Sequence, residues 1–275
     1  MSVASALPGM SDVYDLEPEA SGAYRAKGHA CLRGVCLPGE VAAYREAIGA
    51  VVDRRNTEKR ALAERDTYGK AFIQIGNLWQ DDEHCKRFVF ARRFARIAAE
   101  LMGVDAVRLY HDQALYKEAG GGHTPWHQDQ HYWPLETNDT ITMWMPLVDV
   151  EPEMGVMRFA SGSHTEGYLG DMPISDESEA KFERFVKENG YELSTPGAMK
   201  AGDATFHSGW TLHAAPGNAS DRTREVMTII YFADGTRVKE PDNENRKADL
   251  ASWLPGCRPG EPAASPLNPV LYAKG

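Results

Sequence analysis

Apolar residues recur at helical spacing in the first third of the chain and at alternate positions through much of the remainder, so the pattern predicts helices followed by strands. From Pro38 the apolar positions Val41, Tyr44, Ile48, Val51 and Val52 predict a surface-packing helix, with Pro38 in the first turn, where its missing N–H is not needed. A second helix is predicted over about residues 86 to 102 from the stripe Phe90, Phe94, Ile97, Ala98 and Leu101, closed by Gly103. Its Arg92, Arg93 and Arg96 read as a solvated face. Between these helices, Arg54 to about Gly69 is charged and without an apolar stripe, which predicts a mobile connection and a candidate lid. Residues 1–22 are polar, acidic and aperiodic, and predict a flexible arm.

From residue 106 the period changes to two. Val107, Leu109, His111, Gln113, Leu115 and Lys117 share one face of a long strand, with Ala106, Arg108, Tyr110, Asp112, Ala114 and Tyr116 on the other. Further strands are predicted at Thr140 to Val148, Gly155 to Ala160, Ala204 to Phe206, Thr211 to Ala215 and Glu225 to Phe232. An inserted helix interrupts them, capped by Asp176 with Glu179 at its third position, striped by Phe182, Phe185 and Val186, and ended by Gly190. Gly120-Gly121-Gly122 has no phosphate-binding spacing and reads as a hairpin loop. After Gly235, prolines 241, 255, 259, 262, 266 and 269 predict an extension that wraps the surface without regular structure. Helices followed by many short strands favour a mainly β fold, a two-sheet barrel or jelly roll flanked by helices.

Composition narrows the function more than the fold. At 275 residues the chain fits one domain, taken as residues 1–275 with a β core at 105–234 and the proline-rich extension at 235–275. A net charge of -10 repels phosphate backbones and anionic lipid, which argues against nucleic-acid and membrane partners. The N-terminus lacks the basic and apolar regions of a secretory signal, so a cytoplasmic location and a monomer or homodimer are expected. Cys31, Cys36, Cys85 and Cys257 form no C-x-x-C pair and read as reduced thiols, with a Cys31–Cys36 bridge the less favoured alternative.

The candidate chemistry lies in His127-Gln128-Asp129. On an extended segment, positions i and i+2 face the same way, so an imidazole and a carboxylate can meet at one point. His213 would complete two histidines and one carboxylate on one side of a metal, leaving the other side open for exogenous ligands, a pattern suited to iron(II) and oxygen. Arg224, at the head of the apolar run Val226 to Phe232, would need an anionic partner once buried; Arg222 is its rival on the same face.

Around these residues the segment from Thr124 to Pro134 (TPWHQDQHYWP) resembles the metal-binding segment of the phytanoyl-CoA dioxygenase family of 2-oxoglutarate-dependent non-haem iron oxygenases. Trp144 to Asp149, Gly155 to His164, Gly202-Asp203 and the stretch from His213 through Asn218 and Ser220 to Arg224 match as well, in order, over about residues 105 to 234. The resemblance implies a cupin-like double-stranded β-helix using Fe(II), 2-oxoglutarate as co-substrate and O2, with His127, Asp129 and His213 as iron ligands and catalytic centre. It implies Arg224 as the clamp on the distal carboxylate of 2-oxoglutarate, and places Gln113, Trp144 and Thr142 along the co-substrate pocket. Ala215 departs from relatives with a hydroxyl two residues after the second histidine, so Thr228 or Thr142 is a candidate replacement donor. Lys117 reads as a solvated strand-end lysine or a contact to an anionic ligand, and His131, His164 and His207 as structural or outer-shell residues.

The implied reaction is hydroxylation of a small organic molecule with release of succinate and carbon dioxide. Asp129 stands where halogenating relatives have a small residue, which disfavours halogenation. Desaturation, cyclisation or epimerisation would use the same ligands; a cupin-like isomerase or hydrolase, and a non-catalytic binding module, are the other classes. Specificity is expected from the 54–75 connection, the Gly120 to Thr124 loop and the 165–197 insertion.

Overall fold

The computed structural model describes residues 7–275. Its first half contains helix α1 (Ala20–Lys27), strand β1 (His29–Leu32), helices α2 (Pro38–Arg55) and α3 (Thr67–Ala71), strand β2 (Ile73–Gly76), helices α4 (Glu83–Val89) and α5 (Arg92–Met102), and strands β3 (Ala106–Tyr116) and β4 (Thr124–His127). The second half contains strands β5 (Thr140–Pro146) and β6 (Arg158–Ala160), helix α6 (Asp176–Glu188), strands β7 (Leu193–Ser194), β8 (Ala204–Ser208), β9 (His213–Ala215) and β10 (Val226–Ala233), helix α7 (Glu244–Trp253) and strand β11 (Val270–Ala273). The fold is a jelly roll. Its larger, antiparallel sheet runs β1-β8-β5-β10-β3-β11, with β2 also on β3, and its smaller sheet runs β4-β9-β6-β7.

The main core lies between the outer face of the larger sheet and the N-terminal helices. Tyr44, Ile48, Val51, Phe88, Phe94, Ile97 and Leu101 meet Leu109, Met143, Phe206, Ile229 and Tyr231 there. The predicted helix at 86–102 is two helices, because the chain turns at Phe90 and Ala91, where ψ reaches 114°. No proline or glycine marks that turn; it brings Phe88 edge-on to Phe94 at 5.2 Å, a packing reason that local pattern does not carry. The arginine face is also corrected in part. Arg93 is buried and bonds both oxygens of Glu40 at 2.7 and 2.9 Å, since the helix turns that position onto α2.

Residues 1–6 of the expected arm lie outside the described residues, and residues 7–22 are not loose. Met10 is buried, Tyr44 donates to the Pro8 carbonyl at 2.7 Å, and Asp12 pairs with Arg93 at 2.9 Å. The 54–69 connection is likewise folded: Asp66 caps α3 and Arg65, buried, pairs with Glu118. Gly120 to Gly122 do not close a hairpin, because β3 and β4 belong to different sheets and the loop crosses between them. Ser175, not Asp176, caps α6, leaving Glu179 to accept from the Trp126 amide at 2.7 Å and tie that helix to β4. All four cysteines are free thiols.

The C-terminal extension differs most from expectation. Its prolines bracket regular structure instead of preventing it: Pro241 and Pro255 flank α7, and Pro269 precedes β11. Asn243 caps α7, and Leu250, Trp253 and Leu254 form its apolar stripe against Tyr110, Trp133, Ile230 and Phe232. The fully buried Asn268 clamps this extension to the sheet, its amide donating to the carbonyls of Leu109, Tyr110 and Trp253 at 3.1–3.2 Å. Replacing Asn268 by alanine orphans those carbonyls, and a loss of about 1–3 kcal/mol is expected. Urea unfolding followed by circular dichroism checks it; an unchanged midpoint would refute the clamp. Among the described residues no helix is long and apolar enough to cross a membrane.

Candidate active site

A cavity of about 480 Å³ lies between the two sheets. Register explains which side chains reach it. Thr228 stands opposite both Gln113 and Trp144, and Thr142 opposite both Ile230 and His207, so alternate residues of four neighbouring strands face inward. On β3 that alternation breaks: Ile230 pairs with His111 but Tyr231 with Leu109, leaving Tyr110 as the extra residue of a bulge. Val107 and Leu109 therefore pack into the helix-side core, whereas His111, Gln113 and Leu115 line the cavity. The single face expected for all five is split at Tyr110.

The smaller sheet brings His127 on β4 opposite His213 on β9. One ligand atom from each of His127, Asp129 and His213 lies within 4.8 Å of the others. His127 Nδ1 meets the Pro125 carbonyl at 2.7 Å and His213 Nδ1 the Thr211 carbonyl at 2.9 Å, so each Nδ1–H donates to backbone and each Nε2 lone pair is left for the shared point. Burial and the nearby His127 hold His213 well below the usual imidazole range, which keeps it neutral. Burial works to raise Asp129, but the surrounding imidazoles outweigh it and keep the carboxylate ionised.

Asp129 Oδ1 faces the two Nε2 atoms at 3.5 and 3.6 Å, and Oδ2 is held from behind. Thr142 Oγ1 donates to Oδ2 at 2.9 Å and His207 Nε2 lies 3.2 Å from it. Thr142 lines the cavity, where the co-substrate contact was expected of it, and its place on β5 also sets its hydroxyl beside Asp129, so that it orients the carboxylate. Two imidazoles and an anchored carboxylate on one side of a point make a donor set that suits iron(II).

Arg224 lines the same cavity and is 1% exposed, while Arg222 is exposed. Its guanidinium lies 5.2 Å from the Trp144 ring and donates to the Gly155 carbonyl, and its Nε has no partner. Burial pushes Arg224 down to about 9. Gly155 takes φ 81°, and a Cβ there would lie 2.4 Å from the Pro216 carbonyl oxygen, so glycine is needed where this loop meets the arginine. Lys117 is fully buried, not solvated; it donates to Gly122 and Thr124, and burial together with Arg224 pushes it down to about 6. Gln113, Trp144, Thr228 and Ala215 all line the cavity, although the Thr228 hydroxyl donates to the Gln113 carbonyl at 3.2 Å.

The far half of the cavity is walled by Tyr68 and Phe72 from the 54–75 connection and by Pro173 and Ile174 from the insertion. Asn245, Asp249 and Trp253, from one face of α7, close it. The proline-rich surroundings hid this last group; the i, i+4, i+8 spacing of the three residues was the available signal. Of the Gly120 to Thr124 loop, Thr124 alone lines the cavity.

Residues 24–226 match the family described as phytanoyl-CoA dioxygenase (PhyH). Over 143 residues the chain is 29% identical to the phytanoyl-CoA dioxygenase domain-containing protein 1 homolog of Dictyostelium discoideum, a match covering 50% of this chain and 48% of that one. Over 153 residues it is 29% identical to the methylphosphonate hydroxylase of Gimesia maris, covering 55% of each. The matched region spans about half the length of these curated relatives. Among solved structures, the epimerase SnoN in complex with Fe3+, alpha ketoglutarate and nogalamycin RO superposes with a TM-score of 0.75 at 25% identity, covering 92% of this chain and 97% of that one.

Proposed function

The chain belongs to the phytanoyl-CoA dioxygenase family, and from that premise we propose that it is an iron(II)- and 2-oxoglutarate-dependent dioxygenase hydroxylating an unactivated C–H of a small organic molecule. One observation carries this reading: the three donors of His127, Asp129 and His213 converge at the wall of a cavity that also contains a buried arginine without an acidic partner among the described residues. Iron(II) held there, together with 2-oxoglutarate and O2, supplies an oxidant able to take hydrogen from carbon, with succinate and carbon dioxide released.

The protein's own residues set up that chemistry. Pro125 and Thr211 carbonyls fix the two imidazoles, and Thr142 and His207 fix Asp129, so the donors meet a metal without rearrangement. Arg224 presents a planar fork to the distal carboxylate of 2-oxoglutarate, and Trp144 holds that fork flat. Lys117, which gains its proton when the carboxylate binds, stands behind Thr124, whose hydroxyl lies opposite Ala215 and offers the donor that Ala215 lacks. Val226, Leu115, Met157 and Ala214 keep this end dry, strengthening every charge–charge contact in it. The intact carboxylate at 129 favours hydroxylation over halogenation, and a cavity of this volume admits a small substrate or the reacting end of a larger one.

Adding iron(II) and 2-oxoglutarate to the metal-free protein under argon is expected to produce a visible charge-transfer band, followed by succinate on exposure to oxygen. No band, together with His127→Ala binding iron as well as the parent, would sink this reading.

A further inference from the structure

The two ends of the cavity carry opposite charge. Arg224 is the only Lys or Arg among the described residues lining it, and the lining acids are Asp129, held in the donor cluster, and Asp249 on α7. Asp249 has no ion-pair partner among the described residues; its Oδ2 accepts a hydrogen bond from the Tyr110 hydroxyl at 3.0 Å. That donor arrives because of the β3 bulge, which leaves Tyr110 as the unpaired extra residue on the cavity side of the sheet. His111, 4.6 Å from the Trp253 ring, cannot serve as a counter-ion, since burial pushes it down to about 3 and keeps it neutral. Besides Trp144 at the Arg224 end, the Tyr, Phe and Trp residues lining the cavity are Tyr68, Phe72, Tyr132, Trp133 and Trp253, and Tyr132, Trp133 and Trp253 pack in one cluster with Tyr110, the donor to Asp249. Tyr68 and Tyr132 are each near enough to feel the charges of both Asp129 and Asp249.

We propose that this half of the cavity binds a small organic cation, an ammonium compound, with Asp249 as its counter-ion and the aromatic rings as its walls; the inference rests on the oxygenase reading of the other half. A carboxylate sharing a cavity with aromatic side chains attracts an ammonium ion through the ion pair, and the rings add to it through their quadrupoles. An anionic substrate would meet Asp249 with no cation to offset it, and an apolar one would leave the carboxylate desolvated and unpaired. Burial already pushes Asp249 up to about 7, the behaviour of an acid lacking a positive neighbour. Asp249 and Trp253 stand one turn apart on the same face of α7, so one helix supplies both the charge and part of the wall.

The test is calorimetry on the protein loaded with iron(II) and 2-oxoglutarate under argon. The probes are alkylammonium ions from methylammonium to choline, each beside its neutral isostere, with 3,3-dimethylbutan-1-ol as the isostere of choline, and 3,3-dimethylbutanoate as the anion. At least one ammonium ion is expected to bind about tenfold or more tightly than its isostere, with the anion weakest. Asp249→Asn should remove the preference and Asp249→Glu should restore part of it, with folding followed by circular dichroism. The proposal is overturned if no ammonium ion outbinds its isostere, or if the preference survives Asp249→Asn. A purely structural Asp249 would lower Tm in the Asn variant and leave the preference intact. The charge-transfer band is recorded in the same samples: its absence counts against the oxygenase reading, whereas the calorimetric preference is read whatever the band shows.

Discussion

Asp129→Ala is expected to strip iron from the protein and abolish succinate formation. Losing an outer-shell partner of a metal ligand lowers metal affinity by roughly 10–100-fold, and removing the ligand itself should exceed that. The carboxylate contributes the single negative charge of the donor set, with Oδ1 facing both imidazole nitrogens at 3.5 and 3.6 Å and Oδ2 anchored by Thr142 and His207. Its removal also leaves the Thr142 hydroxyl without its acceptor and three imidazoles crowded together, with ring centroids 4.1 and 4.4 Å apart. Thr142→Val supplies the graded comparison: all three donors remain, and the decline should fall in the outer-shell range. Iron content after dialysis against a chelator, with succinate formation measured alongside, checks both. If Asp129→Ala retains iron as well as Thr142→Val does, the carboxylate is not a ligand.

Arg224→Met should weaken 2-oxoglutarate binding by about two to four orders of magnitude, the equivalent of ~3–5 kcal/mol for breaking one buried charge pair. The iron site should be untouched, and Tm without 2-oxoglutarate should not fall, because the arginine is a buried cation without an acidic partner among the described residues. Arg224→Lys should not rescue affinity, since an ammonium cannot reproduce two parallel hydrogen bonds. Titration of the charge-transfer band measures the affinity; a change below threefold would remove Arg224 from the co-substrate site.

The same experiment has a pH signature. Free Lys117 is pushed down to about 6, so above that pH it is mostly neutral. A carboxylate arriving beside Arg224 and Lys117 raises the lysine again, so binding takes up a proton. Affinity therefore falls as pH rises above about 6 and levels off below it. Calorimetry in two buffers of different ionisation enthalpy detects that proton uptake.

How legible was this protein in its sequence? The strands of the β core could be read because each has one face toward a core or cavity, and such burial writes a period of two directly into the chain. The site was legible for a related reason. His127 and Asp129 are two positions apart on an extended segment, and Arg224 heads an apolar strand, so short-range pattern plus family resemblance picked out all three, with His213 added by the motif around it. The roles of Arg93 and Lys117 were not legible. Local spacing assigned Arg93 to solvent and left Lys117 between solvent and an anionic ligand, and only their packing against Glu40 in one case and against Gly122, Thr124 and Arg224 in the other buries them.

By itself, then, the sequence determined the helices α2 and α5, the strands of the β core and, with the family resemblance added, His127, Asp129, His213 and Arg224 as the candidate site, because alternation and motif spacing are decided by residues within a few positions of one another. Tertiary structure alone decided the split of α4 from α5, the bulge at Tyr110, the turning of Thr142 and His207 onto Asp129, and the use of α7 as the far wall carrying Asp249. Each of these joins residues from elements distant in the chain, and such contacts follow from how sheets and helices fit together, for which no local period exists.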